Sequence, residues 1–519
     1  MIRHFTRIAA TGLLATAVMV ACGDDDGDSP PDTSTGGKAS TGGKAGSEAG
    51  ETSTGGKATT GGVNGTGGIT GGAGEGVGGE GGGQEPGVGG EGGGQEPGVG
   101  GEGGGGSEGE GIPLAADCDL GADGKERELI VSEDGDTIFE DGEEITLTSD
   151  KIWTLEGYVE VREGAKIIIE PCTRVEGTLE PLGVLFIERG GQIEAKGTAA
   201  KPILFTSDAE EPVSGDWGGI VILGRAPTAK GAATFEGVMD AEEFTYGGDD
   251  EADNSGTITY TKIEYSGYFF LADKEVNGLS MAGVGSGTTV NHVMVSNTND
   301  DCFEWWGGNM KNADYLICNN PGDDMFDGDE GWIGGGKNWF GRTTTADAVT
   351  SGDPNGFEWD SLVNGAEPIS AISATNVTLC GPGALQKPSY GMVLRELVTG
   401  TIDNVVLGGF DFGVDARDTF VDGDDAHVSI QNSIFFGLPV ANPADNNTET
   451  SPGDFAFDEE AWFETAAWEN TDVDAGPFSL DECNAEGGPA DSVVSSKVGA
   501  FTESATWTRD AWTKIGGGW

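Results

Sequence analysis

Asp301-Cys302-Phe303-Glu304-Trp305, Asp324-Met325-Phe326-Asp327-Gly328 and Gly356-Phe357-Glu358-Trp359-Asp360 are three versions of one phrase. Aligning their aromatic residues gives steps of 23 and 31 residues. That is about what one turn of a stacked-strand solenoid needs when some turns carry loops. With a side-chain period of two, Phe303, Phe326 and Phe357 fall on one face of the strand, and Glu304, Asp327 and Glu358 on the other. Adjacent strands lie about 4.8 Å apart, so this register predicts carboxylates stacked above one another along an outer wall. Like charges in that arrangement repel. They must be solvated, compensated by cations, or kept for a ligand.

Two further phrases extend the alignment. Gly391-Met392-Val393-Leu394-Arg395 and Gly413-Val414-Asp415-Ala416-Arg417 repeat at a step of 22 and overlay the earlier ones. One outward column then reads Glu304, Asp327, Glu358, Val393, Asp415, and its neighbour Trp306, Asp329, Asp360, Arg395, Arg417. The plainest outcome is a surface ion-pair ladder, Asp360 with Arg395, which contributes little per exposed pair. The sharper one is a groove for a polymeric ligand. There the carboxylates bind Ca²⁺ or sugar hydroxyls, and Arg395 and Arg417 hold acidic groups.

Elsewhere, short β-rich runs closed by Gly or Asn follow one another without helices between them: Val159-Glu160-Val161, Lys166 to Ile169, Val184 to Ile187, Ile203-Leu204-Phe205 and Ile220 to Leu223. Parallel coiling explains such a series, because each turn is short, apolar inward and polar at its corners. The predicted fold is therefore all-β, a right-handed parallel β-helix over 113–450. Residues 451–519 form a small helical, Trp-rich cap: acids precede helically spaced apolar residues from Phe457 to Trp468, and Trp507, Trp512 and Trp519 join them over the last rung.

The remaining N-terminal sequence predicts the compartment. Arg3, His4 and Arg7 precede an apolar stretch too short to span a membrane, the layout of a secretory signal over 1–21. Met19-Val20-Ala21-Cys22 resembles the lipobox of bacterial lipoproteins, which implies lipidation of Cys22 and a membrane anchor. Gly23 rather than Asp follows, so the usual inner-membrane retention signal is absent; the outer membrane and a cell-surface position are expected, with inward display left open. Residues 22–112 are Gly-rich and repetitive, a disordered tether whose span is on the order of 50 Å.

Composition narrows the partners. The 519 residues carry 89 Asp and Glu against 27 Lys and Arg, a formal charge of −62. That argues against nucleic acid and against direct attraction to anionic lipid surfaces, and leaves cations and neutral or cationic ligands. Cys22 aside, six cysteines remain with no CxxC among them, so up to three disulfides are expected, with fifteen pairings open.

Glu170-Pro171-Cys172-Thr173, the run from Gly197 to Ser207, Gly215-Asp216-Trp217-Gly218-Gly219, Tyr246-Gly247-Gly248, Asp253-Asn254-Ser255-Gly256 and the run from Gly283 to Thr288 together resemble a family of exported bacterial right-handed parallel β-helix lipoproteins, pectin-lyase-like in fold. The resemblance spans most of 150–519 and implies architecture and location, but no reaction. Asn297-Thr298-Asn299-Asp300-Asp301-Cys302 is also similar to the clustered aspartates of β-helix polygalacturonases, and Asp323-Asp324 repeats the pair one rung on. If the chain is an enzyme, a lyase or hydrolase of acidic glycans, Asp300, Asp301, Asp323 and Asp324 are its candidates for acid and base. Asp249, Glu251 and Asp253 alternate as in loops that wrap Ca²⁺, without an EF-hand pattern. The expected function is a lipid-anchored surface protein whose acidic wall binds Ca²⁺ and a polysaccharide or another surface partner. A purely structural surface protein is the remaining alternative.

Overall fold

The computed structural model describes residues 111–440 apart from short internal gaps, together with 459–465, 470–473, 498–501 and 507–516. Cys22, the tether and Trp519 lie outside the described residues. Ten parallel strands form one wall of a coil: β1 (Ile138–Phe139), β2 (Tyr158–Val161), β3 (Val184–Ile187), β4 (Gly219–Leu223), β5 (Leu279–Ala282), β6 (Phe303–Trp306), β7 (Phe326–Asp329), β8 (Phe357–Trp359), β9 (Tyr390–Arg395) and β10 (Phe412–Arg417). A second parallel sheet supplies the other two sides. Its strand Gly256–Glu264 pairs by its first half with Gln192–Lys196 and by its second half with Ile203–Ser207, so the chain turns a corner within one strand. The result is a parallel β-helix.

The corner needs a left-handed residue on every turn. Tyr260, His292, Tyr315, Asn338, Asn376 and Asn404 occupy it with φ between 47° and 62°. Asparagine tolerates that region because its short amide bonds locally, and here it also bonds vertically. Asn376 Nδ2 donates to Asn338 Oδ1 at 3.0 Å, and Asn404 Nδ2 to Asn376 Oδ1 at 2.6 Å. Lower in the coil, rings replace amides. His292 stacks between Tyr260 and Tyr315, 4.3 Å from each.

Strand alternation fills the interior. Phe303, Trp305, Phe326, Phe357 and Trp359 point inward and are fully buried, with Trp332 and Trp339 joining them from other sides. Trp305 lies 4.9 Å from Trp332, which lies 5.0 Å from Trp359. Gly328 faces Trp359, where any Cβ would overlap the indole.

The C-terminal region differs in part from a cap over the last rung. Helix α1 (Glu459–Phe463) does cover that end, with Phe463 stacked 4.1 Å from Phe435 and Trp462 Nε1 bonded to the Val428 carbonyl. Trp507 and Trp512 instead lie along the flank. Helix α2 (Ala511–Lys514) sets Trp512 edge-on to Tyr260 and His292, and the Ile515 carbonyl accepts from the fully buried Lys262 ammonium at 2.7 Å. The reason is that the outer side of the second sheet is itself apolar there: Met294, Ile317, Phe340 and Val406 need covering. Where the domain begins, Ala511 N–H donates to the Ile112 carbonyl and Ile112 N–H to Asp510 Oδ1. Disulfides join Cys118 to Cys172 and Cys302 to Cys318, and Cys380 is also disulfide-bonded.

Candidate functional site: the acidic wall

The outer face of the ten-stranded wall has two halves. Over β3 to β5 it is apolar, and two insertions cover it. Phe235, Phe244 and Tyr246 come from the loop bearing the pair Ala233–Thr234 and Thr245–Tyr246, and Phe270 from the hairpin Phe269–Leu271 with Lys274–Glu275. From β6 upward the same face turns acidic. Register aligns Ser280, Glu304, Asp327, Glu358, Val393 and Asp415 in one file. The neighbouring file runs Trp306, Asp329, Asp360, Arg395, Arg417, with Asp360 N–H bonded to the Gly328 carbonyl at 3.0 Å. Both columns expected from the aligned phrases are thus real neighbours in space.

Asp301, Glu304 and Asp327 each bring a carboxylate oxygen within 4.8 Å of the others, and Asp300, Asp301 and Asp323 do the same. Two oxygens on one Ca²⁺ are at most about 5 Å apart, so either group could share an ion. Ser280, one rung below Glu304, adds a fully buried hydroxyl with no hydrogen-bond partner. Asn277 Nδ2 donates to Glu304 Oε2, and Asn355 Nδ2 to Glu358 Oε2 at 3.0 Å.

Crowding shows in the protonation of these groups. Burial and the charges of Glu358 and Asp329 hold the Asp327 carboxyl well above the usual carboxylate range. Burial, then Asp300, Glu304 and Asp327, does the same to Asp301, and burial alone lifts Asp300 to about 7. Asp360 is raised by burial and by Asp329 beside it.

Arg395 answers the upper part of the file. Its guanidinium bonds Glu358 Oε1 at 2.6 Å and Asp360 Oδ2 at 2.7 Å. Burial opposes its charge, yet Glu358 and Asp360 hold it well above its ordinary range. The pairing is therefore a partly buried clamp, stronger than an exposed ladder, and it occupies the donors that an acidic ligand group would use. Even so, Asp360 Oδ1 stays buried without a hydrogen-bond partner.

Asp301 and Asp324 have a second task that sequence reading missed. Each rung's side-chain oxygen accepts the backbone N–H of the equivalent residue one turn on. Asn277 accepts from Asp301, Asp301 from Asp324 at 2.8 Å, Asp324 from Asn355 and Asn355 from Tyr390. The signal was present, because Asn277 and Asn355 stand two residues before the inward Leu279 and Phe357, as Asp301 and Asp324 do before Phe303 and Phe326. Asp324→Asn keeps this acceptor and removes a carboxyl whose charged form burial and Asp323 disfavour. It should leave the urea midpoint at pH 7.5 unchanged or higher, whereas Asp324→Ala strands a buried N–H and should cost about 1–3 kcal/mol. A midpoint lowered equally by both would contradict this.

The loop with Asp249, Glu251 and Asp253 is built differently. Asp249 and Glu251 are exposed, while Asp253 turns inward, where its Oδ2 accepts from Ser255 and Gly285 N–H. Among the described residues, neither converging carboxylate group includes them.

A solenoid of parallel strands with a carboxylate-lined side defines the class. The chain belongs to the pectate-lyase-like β-helix domain family, whose model matches residues 138–512. The match begins at β1 and ends at Trp512, so the flank-covering segment falls within it. No curated protein and no solved structure matches the chain.

Proposed function

We propose that this is a surface-displayed glycan-binding protein whose acidic wall holds Ca²⁺ between itself and an acidic polysaccharide. One observation carries the reading: three successive rungs set Glu304, Asp327 and Glu358 in file, and Asp301 brings a carboxylate oxygen within 4.8 Å of those of Glu304 and Asp327. A hard cation wants several oxygens, and the orphaned Ser280 hydroxyl offers a neutral one beside them. Uncompensated, the same carboxylates repel, so the folded chain gains by binding a cation there. The glycan reaches the wall through that ion, because Arg395 Nε and Nη2 are already bonded to Asp360 and Glu358. Membership of the family supports a carbohydrate-related or surface role. Lipidation at Cys22 and a tether to the outer membrane complete the proposal, and the disulfides support export.

Calorimetric titration of the full chain with Ca²⁺ tests the cation half. Wild type should release or absorb heat on binding and melt higher with Ca²⁺ at a hundredfold excess over Kd, a gain of about 2.7 kcal/mol. Glu304→Gln with Asp327→Asn should show neither effect. Equal behaviour of the two proteins sinks the site. Release of reducing ends or unsaturated products from acidic glycans would instead move the reading to a lyase or hydrolase.

A further inference from the structure

We propose that Val213 and Phe269 form the apolar half of a sugar subsite at the lower end of the acidic wall, stacking on the C–H face of a pyranose whose acid group reaches the cation. This rests on the function proposed above and adds where and how the ring is held.

Six large apolar side chains are strongly exposed among the described residues. Ile112, Leu114 and Leu129 belong to the N-terminal edge, and Leu179 stands alone. Val213 at 61 % and Phe269 at 49 % remain, and their loops are joined at the root. Gly215 N–H donates to the Ser266 carbonyl at 2.8 Å and Asp216 N–H to the Tyr265 carbonyl at 3.1 Å.

That root also adjoins the chain that carries the acidic site. Asn299 N–H donates to the same Ser266 carbonyl, so the loops reach the chain one residue before Asp300. On its return, the hairpin ends at Asn277, whose amide holds Glu304 and accepts from Asp301 N–H. One end of the hairpin is thus bonded to Glu304 and Asp301, and the other to Asn299, the residue before Asp300.

Neither exposed side chain rides on a loose support. Asp216 Oδ2 accepts from Val213 N–H at 2.9 Å and from Ser207 Oγ at 2.8 Å, fixing the first loop. In the hairpin, Tyr268 and Phe270 meet edge-on at 4.9 Å, and Phe270 packs down on the apolar cover of β3 to β5. Phe269, between them, points away from that cover. Anchored flanks with an exposed central ring form a prepared surface, which loses little side-chain entropy when a ligand arrives. The wall supplies only charge and hydroxyl chemistry. A pyranose presents one apolar face as well, and this rim is what matches it.

Affinity electrophoresis of the full chain through gels containing polygalacturonate and Ca²⁺ tests the proposal, with calorimetry reporting Ca²⁺ binding separately. Phe269→Ala should weaken retention about tenfold while leaving Ca²⁺ affinity and melting temperature unchanged, and Phe269→Trp should restore retention. Val213→Ser should weaken it to a smaller extent. If wild type is retarded and Phe269→Ala equally so, the rim is overturned and the acidic site stands. If wild type is not retarded at all, the glycan half of the proposed function falls, and this subsite with it.

Discussion

Replacing Trp305 with alanine should destabilise the coil by about 3–5 kcal/mol, the range for deleting a large buried aromatic. Trp305 has no exposed surface, and four rings face it: Phe303, Trp332, Trp339 and Trp359, with centroids between 4.9 and 6.2 Å. The neighbours cannot close the gap easily, because the backbone of every rung is pinned above and below by ladder hydrogen bonds. Each rung also stabilises mainly the next, so the loss concentrates at β5 to β7. Trp305→Phe is the control. The Trp305 indole N–H has no hydrogen-bond partner, so phenylalanine forfeits no polar contact and should cost less. Urea denaturation followed by near-UV circular dichroism measures both. If alanine and phenylalanine lower the midpoint equally, the polar N–H rather than ring packing governs the site.

The second large effect concerns pH. In the folded chain the carboxyls of Asp301, Asp324, Asp327 and Asp360 are held well above the ordinary range and Asp300 titrates at about 7. Unfolded, they lose their protons near pH 4. Between those limits the folded state binds more protons, so stability falls as pH rises, by about 1.4 kcal/mol per unit for each excess proton. His292 acts in the opposite sense. Burial lowers its pKa to about 4, so the unfolded chain takes up its proton first as pH falls from about 6.5. Five carboxyls outweigh one imidazole. With EDTA present, the melting temperature should rise by roughly 3 °C or more from pH 7.5 to pH 5.5. Ca²⁺ at pH 7.5 should recover much of that difference, since an ion replaces the protons. A melting temperature that falls over the same interval would show that the file is fully ionised and relaxed without a cation.

The rung register was legible because two signals coincided. Phe303, Phe326 and Phe357 mark the inward position, and a strand period of two then places Glu304, Asp327 and Glu358 without further information. Arg395 fell into the Asp360 column for the same reason, although its second bond, to Glu358, needed the side-chain path. What stayed hidden depended on long-range covering. Nothing local in Trp507 or Trp512 says that they lie on the flank, since that follows from which outer surfaces the coil leaves apolar. Asp301 and Asp324 looked like free acids because a carboxylate that bonds a backbone amide one turn away has no signature within its own turn. Their asparagine equivalents, Asn277 and Asn355, were the clue. Cysteine pairing was undetermined for a related reason, since Cys302 and Cys318 meet only because the beginning and the later part of one turn come side by side inside the coil.

The bond between Cys118 and Cys172 sits only a few residues inside the point where Ile112 is stitched to Asp510 and Ala511. A pull on the chain ahead of Gly111 would first peel Ile112 away from these two residues. It would then reach Cys118, where the disulfide passes the load on to Cys172 and spares the turns between them. The domain thus meets mechanical tension with a weak seal backed by a fixed bolt, and reduction of that bolt would let the same force run on into the first turns.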